Sequence, residues 1–389
     1  MFDRLQVRNF KSLRHVDLRL SSLAVFVGEN GAGKSNLLDA VRFVADALDV
    51  GLDHAVRTRG GVDAVRRKTS GHPTHFEIAL DVRTHAVQGR FQFKVGARPG
   101  KDHVVTEERA EAHLMGAIDD FGSVQRYHVR SGVVEVAPAA SLARADPREL
   151  HLRNVTAIPA FAALADALKA TSILHPAPSV LKELALPDAR RWLASDGANL
   201  PSIVKALAAE DPAALERVVA YLGAVVPGVT GVRHVSAASR ETLEFKLEMD
   251  NRQAWPYYAS AMSDGTLRAT ALLTALFQPG LEVVGIEEPE ISLHPKATHA
   301  LADAITEASA ARQIMVTTHS PEFIGHDAIG PRSVFLVGMH RGVSDVVELP
   351  SSLRSIVEDG VFTLPELQRL GQLVPDDGPP QAVAQRIRW

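Results

Sequence analysis

Alternating apolar and polar residues predict a series of half-buried strands in the first 140 residues. The alternation is clearest at residues 5–13, 16–20, 76–82 and 90–95, with shorter pieces around 103–105 and 132–136. A polar turn around Gln88-Gly89 would join the third and fourth stretches as an antiparallel hairpin. The pattern therefore predicts a sheet lobe in this part of the chain.

A helical period replaces the alternation between about residues 157 and 222, with breaks at prolines near Pro176 and Pro187. Asp211-Pro212 suits the N-cap and first turn of one of these helices. Strand alternation resumes at residues 243–249, and apolar strands are predicted at 281–286 and 313–321, the second with a polar tip. We expect an α/β chain with three parts: residues 1–156, an inserted helical lobe at 157–225, and residues 226–389.

One glycine-rich turn separates a five-residue apolar run at 23–27 from a helical pattern that begins near Leu37. Its sequence, G-E-N-G-A-G-K-S, fills every fixed position of the phosphate-loop pattern G-x-x-x-x-G-K-[ST], and a chance glycine turn is the weaker alternative. Glycines there can take positive φ and turn N–H groups toward phosphate oxygens, beside a helix N-terminus that is partly positive. The predicted ATP-binding residues of this loop are Gly28, Asn30, Gly31, Gly33, Lys34, Ser35 and Asn36.

In this loop Lys34 would contact the β- and γ-phosphates, and the Ser35 hydroxyl would contact Mg²⁺. A second set of polar residues follows the strand at 281–286. Glu287 suits metal binding and Glu288 suits activation of the attacking water, although an acidic loop alone would show the same pattern. His319, at the tip of the strand at 313–321, can hydrogen-bond a γ-phosphate. The residues predicted to bind Mg²⁺ are Ser35 and Glu287, and the predicted catalytic residues are Glu288 and His319.

Ser263-Asp264-Gly265-Thr266 opens a predicted helix that runs toward Pro279-Gly280. A serine N-cap followed by glycine at a helix N-terminus favours an anion site. Ser263 and Gly265 are therefore added to the predicted nucleotide-binding residues.

Composition narrows the class of protein. The chain has 389 residues, 46% hydrophobic content, a net charge of −4 and no cysteine, which excludes disulfides and thiolate chemistry. The first ten residues lack an apolar core, and no apolar run approaches the roughly 20 residues of a membrane span. We expect a cytoplasmic protein without a membrane partner.

Two groups of basic residues leave alternatives open. The first group is Arg57, Arg59, Arg66, Arg67 and Lys68. It either contacts a nucleic-acid backbone or forms a solvated loop, and the absence of interleaved aromatic residues favours the loop. The second group, Arg8, Lys11 and Arg14, either reaches a phosphate or ribose or stays solvated on an edge strand.

The motifs, in this order, resemble those of ABC-type ATPases of the RecF, SMC and OLD group, specifically its stand-alone bacterial members. The resemblance covers nearly the whole chain and rests on N-F-K-S-L at 9–13, the Walker A loop at 28–35, S-D-G-T at 263–266, E-E-P-E-x-x-L-H-P at 287–295, T-T-H-S-P-E at 317–322 and D-G-A-N-L at 196–200. It implies a P-loop ATPase head with a mixed sheet, an antiparallel β lobe and an inserted helical lobe. The roughly 70 residues after His319 are too few for the TOPRIM nuclease module of OLD-type proteins.

The resemblance further implies an ATP- and Mg²⁺-dependent homodimer. Glu288 would be the general base and His319 the switch histidine, while Ser263 and Gly265 would complete the site of the partner subunit. Residues 290–294 would cross the dimer interface. Such a switch would control a separately encoded effector, such as a nuclease or toxin in phage defence, or would act on DNA in repair.

Two other function classes are open. A nucleotide-binding subunit of a membrane transporter is disfavoured, because Thr266 stands where the transporter signature has glutamine. A non-hydrolysing interaction protein is disfavoured by Glu288.

The chain also departs from the family pattern at two places. Glu287 replaces the usual aspartate, which favours metal contact through water. The Q-loop glutamine has no decisive position, and Gln88, Gln92 and Gln125 are the candidates.

Overall fold

The chain folds around a large mixed sheet with helices on both faces. The computed structural model describes residues 1–68, 75–98, 102–116, 124–136, 145–248 and 253–375. Within these ranges the strands are β1 (Phe2–Phe10), β2 (Leu13–Arg19), β3 (Leu23–Val27), β4 (His75–Arg83), β5 (Val87–Arg98), β6 (Asp102–Leu114), β7 (Gln125–Arg130), β8 (Val133–Val136), β9 (Thr171–Leu174), β10 (Val229–Ala237), β11 (Arg240–Glu248), β12 (Ala254–Tyr258), β13 (Val283–Glu287), β14 (Gln313–Thr318), β15 (Val334–His340) and β16 (Val343–Glu348).

Helices occur in three groups along the described chain. They are α1 (Lys34–Asp49), α2 (Leu52–Arg57) and α3 (Val62–Val65), then α4 (Pro159–Lys169), α5 (Pro178–Lys182), α6 (Leu200–Glu210) and α7 (Pro212–Val225), then α8 (Asp264–Phe277), α9 (Pro295–Ser309), α10 (Pro321–Ile324), α11 (Ser351–Glu358) and α12 (Leu364–Arg369). None of the helices in the described ranges is long and apolar enough to cross a membrane.

The main sheet has the strand order β8-β7-β6-β5-β4-β1-β2-β16-β15-β3-β14-β13-β9. Strands β8 to β2 form an antiparallel arm, whereas β15, β3, β14, β13 and β9 are parallel neighbours. The phosphate-loop strand β3 is fully buried between β14 and β15. The predicted mixed sheet with an antiparallel β lobe is confirmed, and a separate three-stranded sheet consists of β10, β11 and β12.

Two hydrophobic cores lie on the two faces of the sheet. One core includes α1, α4 and the strands of the antiparallel arm, where Phe10, Phe43 and Phe76 meet edge to face. The other core includes α6 to α9. Aromatic pairs of this kind fix how elements pack, because their edge-to-face contacts are directional. These contacts therefore hold the middle of α1 against the sheet.

The predicted hairpin of β4 and β5 is confirmed, but its turn lies elsewhere. Gln88 and Gly89 are inside β5, paired with Arg83 and Val82. The turn is at 84–86, where the Thr84 hydroxyl accepts hydrogen bonds from the N–H groups of Ala86 and Val87. A threonine side chain can close a turn in this way, which a search for glycine overlooks.

The predicted helical lobe at 157–225 contains α4, α5, α6, α7 and also β9. Strand β9 is the edge strand of the main sheet and pairs with β13. Helix α4 packs against the antiparallel arm, whereas α6 and α7 belong to the second core. Asp211 caps α7 as predicted and accepts a hydrogen bond from the Ala214 N–H. The three-part division of the chain stays a prediction.

A buried carboxylate ties the antiparallel arm to the segment before α4. Glu108 on β6 accepts hydrogen bonds from the Tyr127 hydroxyl at 2.6 Å and from the N–H groups of His151 and Leu152 at 2.7 and 2.8 Å. Burial raises the pKa of Glu108 to about 7, against the effect of these three donors. This side chain therefore titrates within the neutral range in the folded protein.

Candidate functional site

Four parallel strands of the sheet end at the same edge, and each is followed by a polar residue or loop. β3 leads into the phosphate loop, β13 ends at Glu287, β14 is followed by His319, and β9 is followed by His175. Ligands of open α/β sheets bind at the carboxyl ends of the strands. The topology thus brings together residues from four distant parts of the sequence.

Two of the three glycines in the phosphate loop have the positive φ that the sequence predicts. Gly31 and Gly33 have φ of 81° and 101°. In the described part of the chain, the N–H groups of Asn30, Gly31 and Gly33 make no hydrogen bond. Free N–H groups next to the N-terminus of α1 are suited to phosphate oxygens.

Gly28 is required for a different reason from the one predicted. Its φ is not positive, but a Cβ at this position would lie 2.1 Å from the carbonyl oxygen of Val337 on β15. The expectation of positive φ at Gly28 is therefore wrong. The residue has to be glycine because two backbones approach each other too closely for a side chain.

Lys34 lies buried at the centre of the loop, with 5% of its side chain exposed. Its Nζ donates to the carbonyl oxygens of Gly28 at 2.8 Å and Glu29 at 3.0 Å, and lies 3.7 Å from Glu288 Oε1. Burial lowers the pKa of Lys34, and the charge of Glu288 opposes that shift. Two carbonyl oxygens and a carboxylate thus hold the ammonium group at the centre of the loop, where it is positioned to meet phosphate oxygens.

The metal-binding prediction has a matching pair of oxygen donors. The Ser35 hydroxyl donates to Glu287 Oε2 at 2.7 Å. A hydroxyl and a carboxylate are oxygen ligands of the kind that Mg²⁺ prefers. No cluster of three or more His, Cys, Asp or Glu that could hold a metal exists among the described residues, so phosphate oxygens would have to complete the coordination.

Glu288, His319 and Glu290 form a chain of contacts beside Lys34. His319 Nδ1 lies 3.4 Å from Glu288 Oε1 and 3.8 Å from Glu290 Oε1. Glu290 also accepts a hydrogen bond from the Thr318 hydroxyl at 2.6 Å, and burial raises its pKa. The general base and the switch histidine predicted from the sequence are therefore neighbours in space.

Ser263 and Gly265 are not part of this cluster. Ser263 is exposed and caps α8, where its hydroxyl accepts the Thr266 N–H. Gly265 is buried, and a Cβ there would lie 2.3 Å from the carbonyl oxygen of Ser292. The start of α8 thus packs directly on the segment 290–294 of the same chain. Whether the two residues bind nucleotide stays a prediction.

The N-F-K-S-L segment supports the start of α1. Ser12 Oγ lies 2.6 Å from Ser344 Oγ and accepts a hydrogen bond from Asn36 Nδ2 at 2.7 Å. Lys11 Nζ lies 2.7 Å from Asp39 Oδ2. The side chains of Asn36 and Lys11 are therefore engaged within the protein, although 30% of the Lys11 side chain is exposed.

Within the first basic group, Arg59 is not available to a nucleic-acid backbone. Only 7% of its side chain is exposed, and its guanidinium pairs with Asp39 and Asp46 at 2.8 and 2.9 Å. Arg57 pairs with Asp53 at 2.9 Å. At these positions the basic stretch is balanced by acidic residues of the same region.

The sequence prediction missed His175. Its Nδ1 lies 3.9 Å from Glu287 Oε2, the oxygen that also accepts the Ser35 hydroxyl hydrogen bond. The three glutamine candidates are on β5 and β7, and β5 is separated from β3 by five intervening strands, which corresponds to roughly 29 Å across the sheet. None of the three therefore lies on a strand that neighbours β3. His175 was missed because β9 has only four residues and therefore a weak sequence pattern. Its place at this edge of the sheet follows from the pairing of β9 with β13.

Two family models match separate parts of the chain. The model described as "AAA ATPase domain" matches residues 1–89, and the model described as "AAA domain, putative AbiEii toxin, Type IV TA system" matches residues 178–325. The first range contains the phosphate loop, and the second contains Ser263, Glu287, Glu288 and His319. None of the matches described here is a transporter subunit.

Among curated proteins, the chain is similar to an OLD nuclease of Thermus scotoductus, 50% identical over 44 residues, and to the DNA replication and repair protein RecF of Lactobacillus acidophilus, 31% identical over 87 residues. These matches cover 11% and 21% of this chain. They span 8% and 22% of the two relatives, so the comparison concerns a small part of each.

Solved structures of SMC heads share the fold. An SMC head bound to the C-terminal winged-helix domain of ScpA superposes with a TM-score of 0.57 at 18% identity and covers 91% of this chain and 99% of that one. An SMC head from Pyrococcus furiosus, bound to the C-terminal domain of ScpA, has a TM-score of 0.56 at 15% identity and covers 92% and 99%. Together with the site geometry, these findings show a P-loop ATPase whose fold is that of SMC heads and whose sequence is similar, in parts, to RecF and OLD proteins.

Proposed function

We propose that the protein binds and hydrolyses ATP with Mg²⁺ and works as a nucleotide-dependent homodimeric switch. The observation that supports this proposal most is that five predicted site residues lie together at one edge of the sheet. They are Lys34, Ser35, Glu287, Glu288 and His319. Mg²⁺, when bound, would neutralise charge that develops on the phosphates. Lys34 would hold the β- and γ-phosphates, Glu288 would accept the proton of the attacking water, and His319 would contact the γ-phosphate.

The homodimer is proposed because the site is incomplete within one chain. Ser263 lies exposed at the N-terminus of α8, where its hydroxyl bonds to Thr266 rather than to the phosphate loop, and its helix packs on the segment 290–294 that follows Glu288. A second chain could place this helix N-terminus over the γ-phosphate, where its partial positive charge would stabilise negative charge. Each dimer would then hold two composite sites.

We further propose that the switch acts in the cytoplasm on a separately encoded effector, such as a nuclease or toxin in phage defence, or on DNA in repair. The matched family description names a toxin system, and the matched relatives are an OLD nuclease and a DNA replication and repair protein. These descriptions support both roles. The structural likeness to SMC heads supports the fold of such a switch.

Mixing two inactive variants tests the shared site. We expect Ser263→Arg to block dimer closure and hydrolysis while leaving ATP affinity nearly intact, and Lys34→Ala to abolish ATP binding. A heterodimer of the two retains one site with an intact Lys34 and an intact Ser263. An equal mixture should therefore recover up to roughly a quarter of the parent activity.

Ser236→Arg, an exposed serine on β10, is the control and should hydrolyse ATP like the parent. If Ser263→Arg also behaves like the parent, Ser263 is only the cap of α8. If the mixture stays inactive although both variants fold and Ser263→Arg binds ATP, the composite site is wrong for this chain.

A further inference from the structure

His175 stands at the edge where the proposed ATP site is built and has no role in the function described above. Its side chain is 58% exposed, and Nδ1 lies 3.9 Å from Glu287 Oε2. The same carboxylate oxygen accepts the Ser35 hydroxyl hydrogen bond at 2.7 Å. One carboxylate oxygen thus has both a hydroxyl and an imidazole as neighbours.

This separation suits ligands of one ion. Metal–ligand bonds of about 2.1 Å place neighbouring ligands of an octahedral ion roughly 3 Å apart and opposite ligands roughly 4 Å apart. The 3.9 Å between His175 and Glu287 lies within that range. A direct salt bridge would be shorter, since charge-assisted N–H···O bonds are about 2.7–2.9 Å long.

The backbone around His175 is held in place rather than left as a free loop. The His175 N–H donates to Ser195 O at 2.8 Å, and the Ala177 N–H donates to Asp196 O at 3.0 Å. From the other side, Arg268 Nε on α8 donates to Pro176 O at 3.0 Å. The backbone at His175 is therefore held between β9 and α8, and this sets the point from which the imidazole extends.

The D-G-A-N-L segment explains why the supporting turn is rigid. Gly197 has φ of 84°, and a Cβ there would lie 2.6 Å from a methyl carbon of Leu181. The Asn199 side chain accepts the Ala194 N–H at 2.7 Å and donates to Trp192 O at 3.0 Å. This motif, singled out in the sequence but left without a role, positions the residues that follow β9.

We propose that His175 supplies an imidazole ligand to the divalent metal held by Ser35 and Glu287 with nucleotide, and that this nitrogen shifts the metal preference of the site from Mg²⁺ toward Mn²⁺. The proposal rests on the ATP-binding function proposed above. Carboxylate, hydroxyl and phosphate oxygens suit Mg²⁺, whereas imidazole binds Mg²⁺ weakly and first-row transition metals well. His175→Gln replaces the nitrogen donor with an amide oxygen, which should restore the preference for Mg²⁺.

Pulsed electron paramagnetic resonance of bound Mn²⁺ tests the ligand directly. The probe is Mn²⁺ with the β,γ-methylene analogue of ATP, whose bridging group contains no nitrogen. The parent should show hyperfine coupling to a directly bound histidine nitrogen, and His175→Gln should lose it. His54→Gln, an exposed histidine on α2, is the control and should keep the coupling.

Equilibrium titrations of the same variants supply a second readout. The ratio of Mn²⁺ to Mg²⁺ affinity, measured with the analogue present, should fall about tenfold in His175→Gln and stay unchanged in His54→Gln. If the analogue binds but the parent shows no histidine coupling, or the ratio is unchanged in His175→Gln, the proposal about His175 is overturned and the ATP site stands. If the analogue binds with neither metal, the proposed ATP function is wrong, and the proposal about His175 is then wrong as well.

Discussion

Replacing Lys34 with methionine separates two effects of its buried ammonium group, one on ATP affinity and one on the stability of the fold. The substitution keeps most of the side-chain volume but removes the charge that lies 2.8 and 3.0 Å from two loop carbonyls. With nucleotide bound, the same donors would serve the β- and γ-phosphates. Two charge-assisted hydrogen bonds of about 1.5–3 kcal/mol each predict an affinity loss of roughly 10²- to 10⁴-fold.

Fold stability should respond in the opposite sense. Burial lowers the pKa of Lys34, so its charged form is disfavoured in the folded state compared with the unfolded state. At neutral pH the lysine of the unfolded chain is charged, so the lowered pKa in the folded state reduces the free energy of unfolding. We therefore expect Lys34→Met to unfold at an equal or higher urea concentration than the parent.

Fluorescence titration with labelled ATP and urea denaturation measure the two effects on the same sample. Lys11→Met is the matched control, since Lys11 is paired with Asp39 and its loss should change ATP affinity less than twofold. An unchanged affinity in Lys34→Met would refute the site assignment. A loss of unfolding free energy above about 2 kcal/mol would instead show that the lysine holds the loop together, contrary to the reasoning from burial.

Two further predictions concern carboxylates. Glu288→Gln should keep ATP binding but slow hydrolysis by about 10²-fold or more, as loss of a general base does, and light scattering should detect an accumulated ATP-bound dimer. A monomer with ATP bound would contradict the dimeric switch. Glu108 has its pKa raised from 4.5 to about 7 by burial, so its contribution to stability is complete below pH 4.5 and is lost as the pH rises through about 7. Glu108→Gln should flatten that loss in urea denaturation at pH 5, 6, 7 and 8, and an identical pH dependence in both proteins would exclude the assignment.

The sequence predicted most of this edge of the sheet because local rules determine it. The phosphate loop follows from glycine conformations and a strand-to-helix transition, and Glu287 and His319 follow from polar residues at the ends of apolar strands. The cap at Ser263 follows from helix-terminus chemistry. Each of these signals lies within a few residues of the element that it predicts.

The features that sequence reasoning missed depend on contacts between distant segments. Gly28 must be glycine because of Val337, more than 300 residues further along the chain. His175 joins the site only because β9 pairs with β13, and Arg59 is withdrawn from the surface by Asp39 and Asp46. Strand order and side-chain pairing at these separations have no local pattern, so periodicity could not reveal them.

The position of β3 has a consequence for the biosynthesis of the protein. Both of its partners, β14 and β15, come from residues after 312, whereas β3 itself ends at Val27. During translation the ribosome would release the phosphate loop long before either neighbouring strand exists. Strands with unpaired edges invite association with other chains, and long-range pairing is slow. We therefore expect β3 to stay unpaired until residues 313–340 have emerged, and a product terminated before them would keep the loop sequence but lack both neighbouring strands.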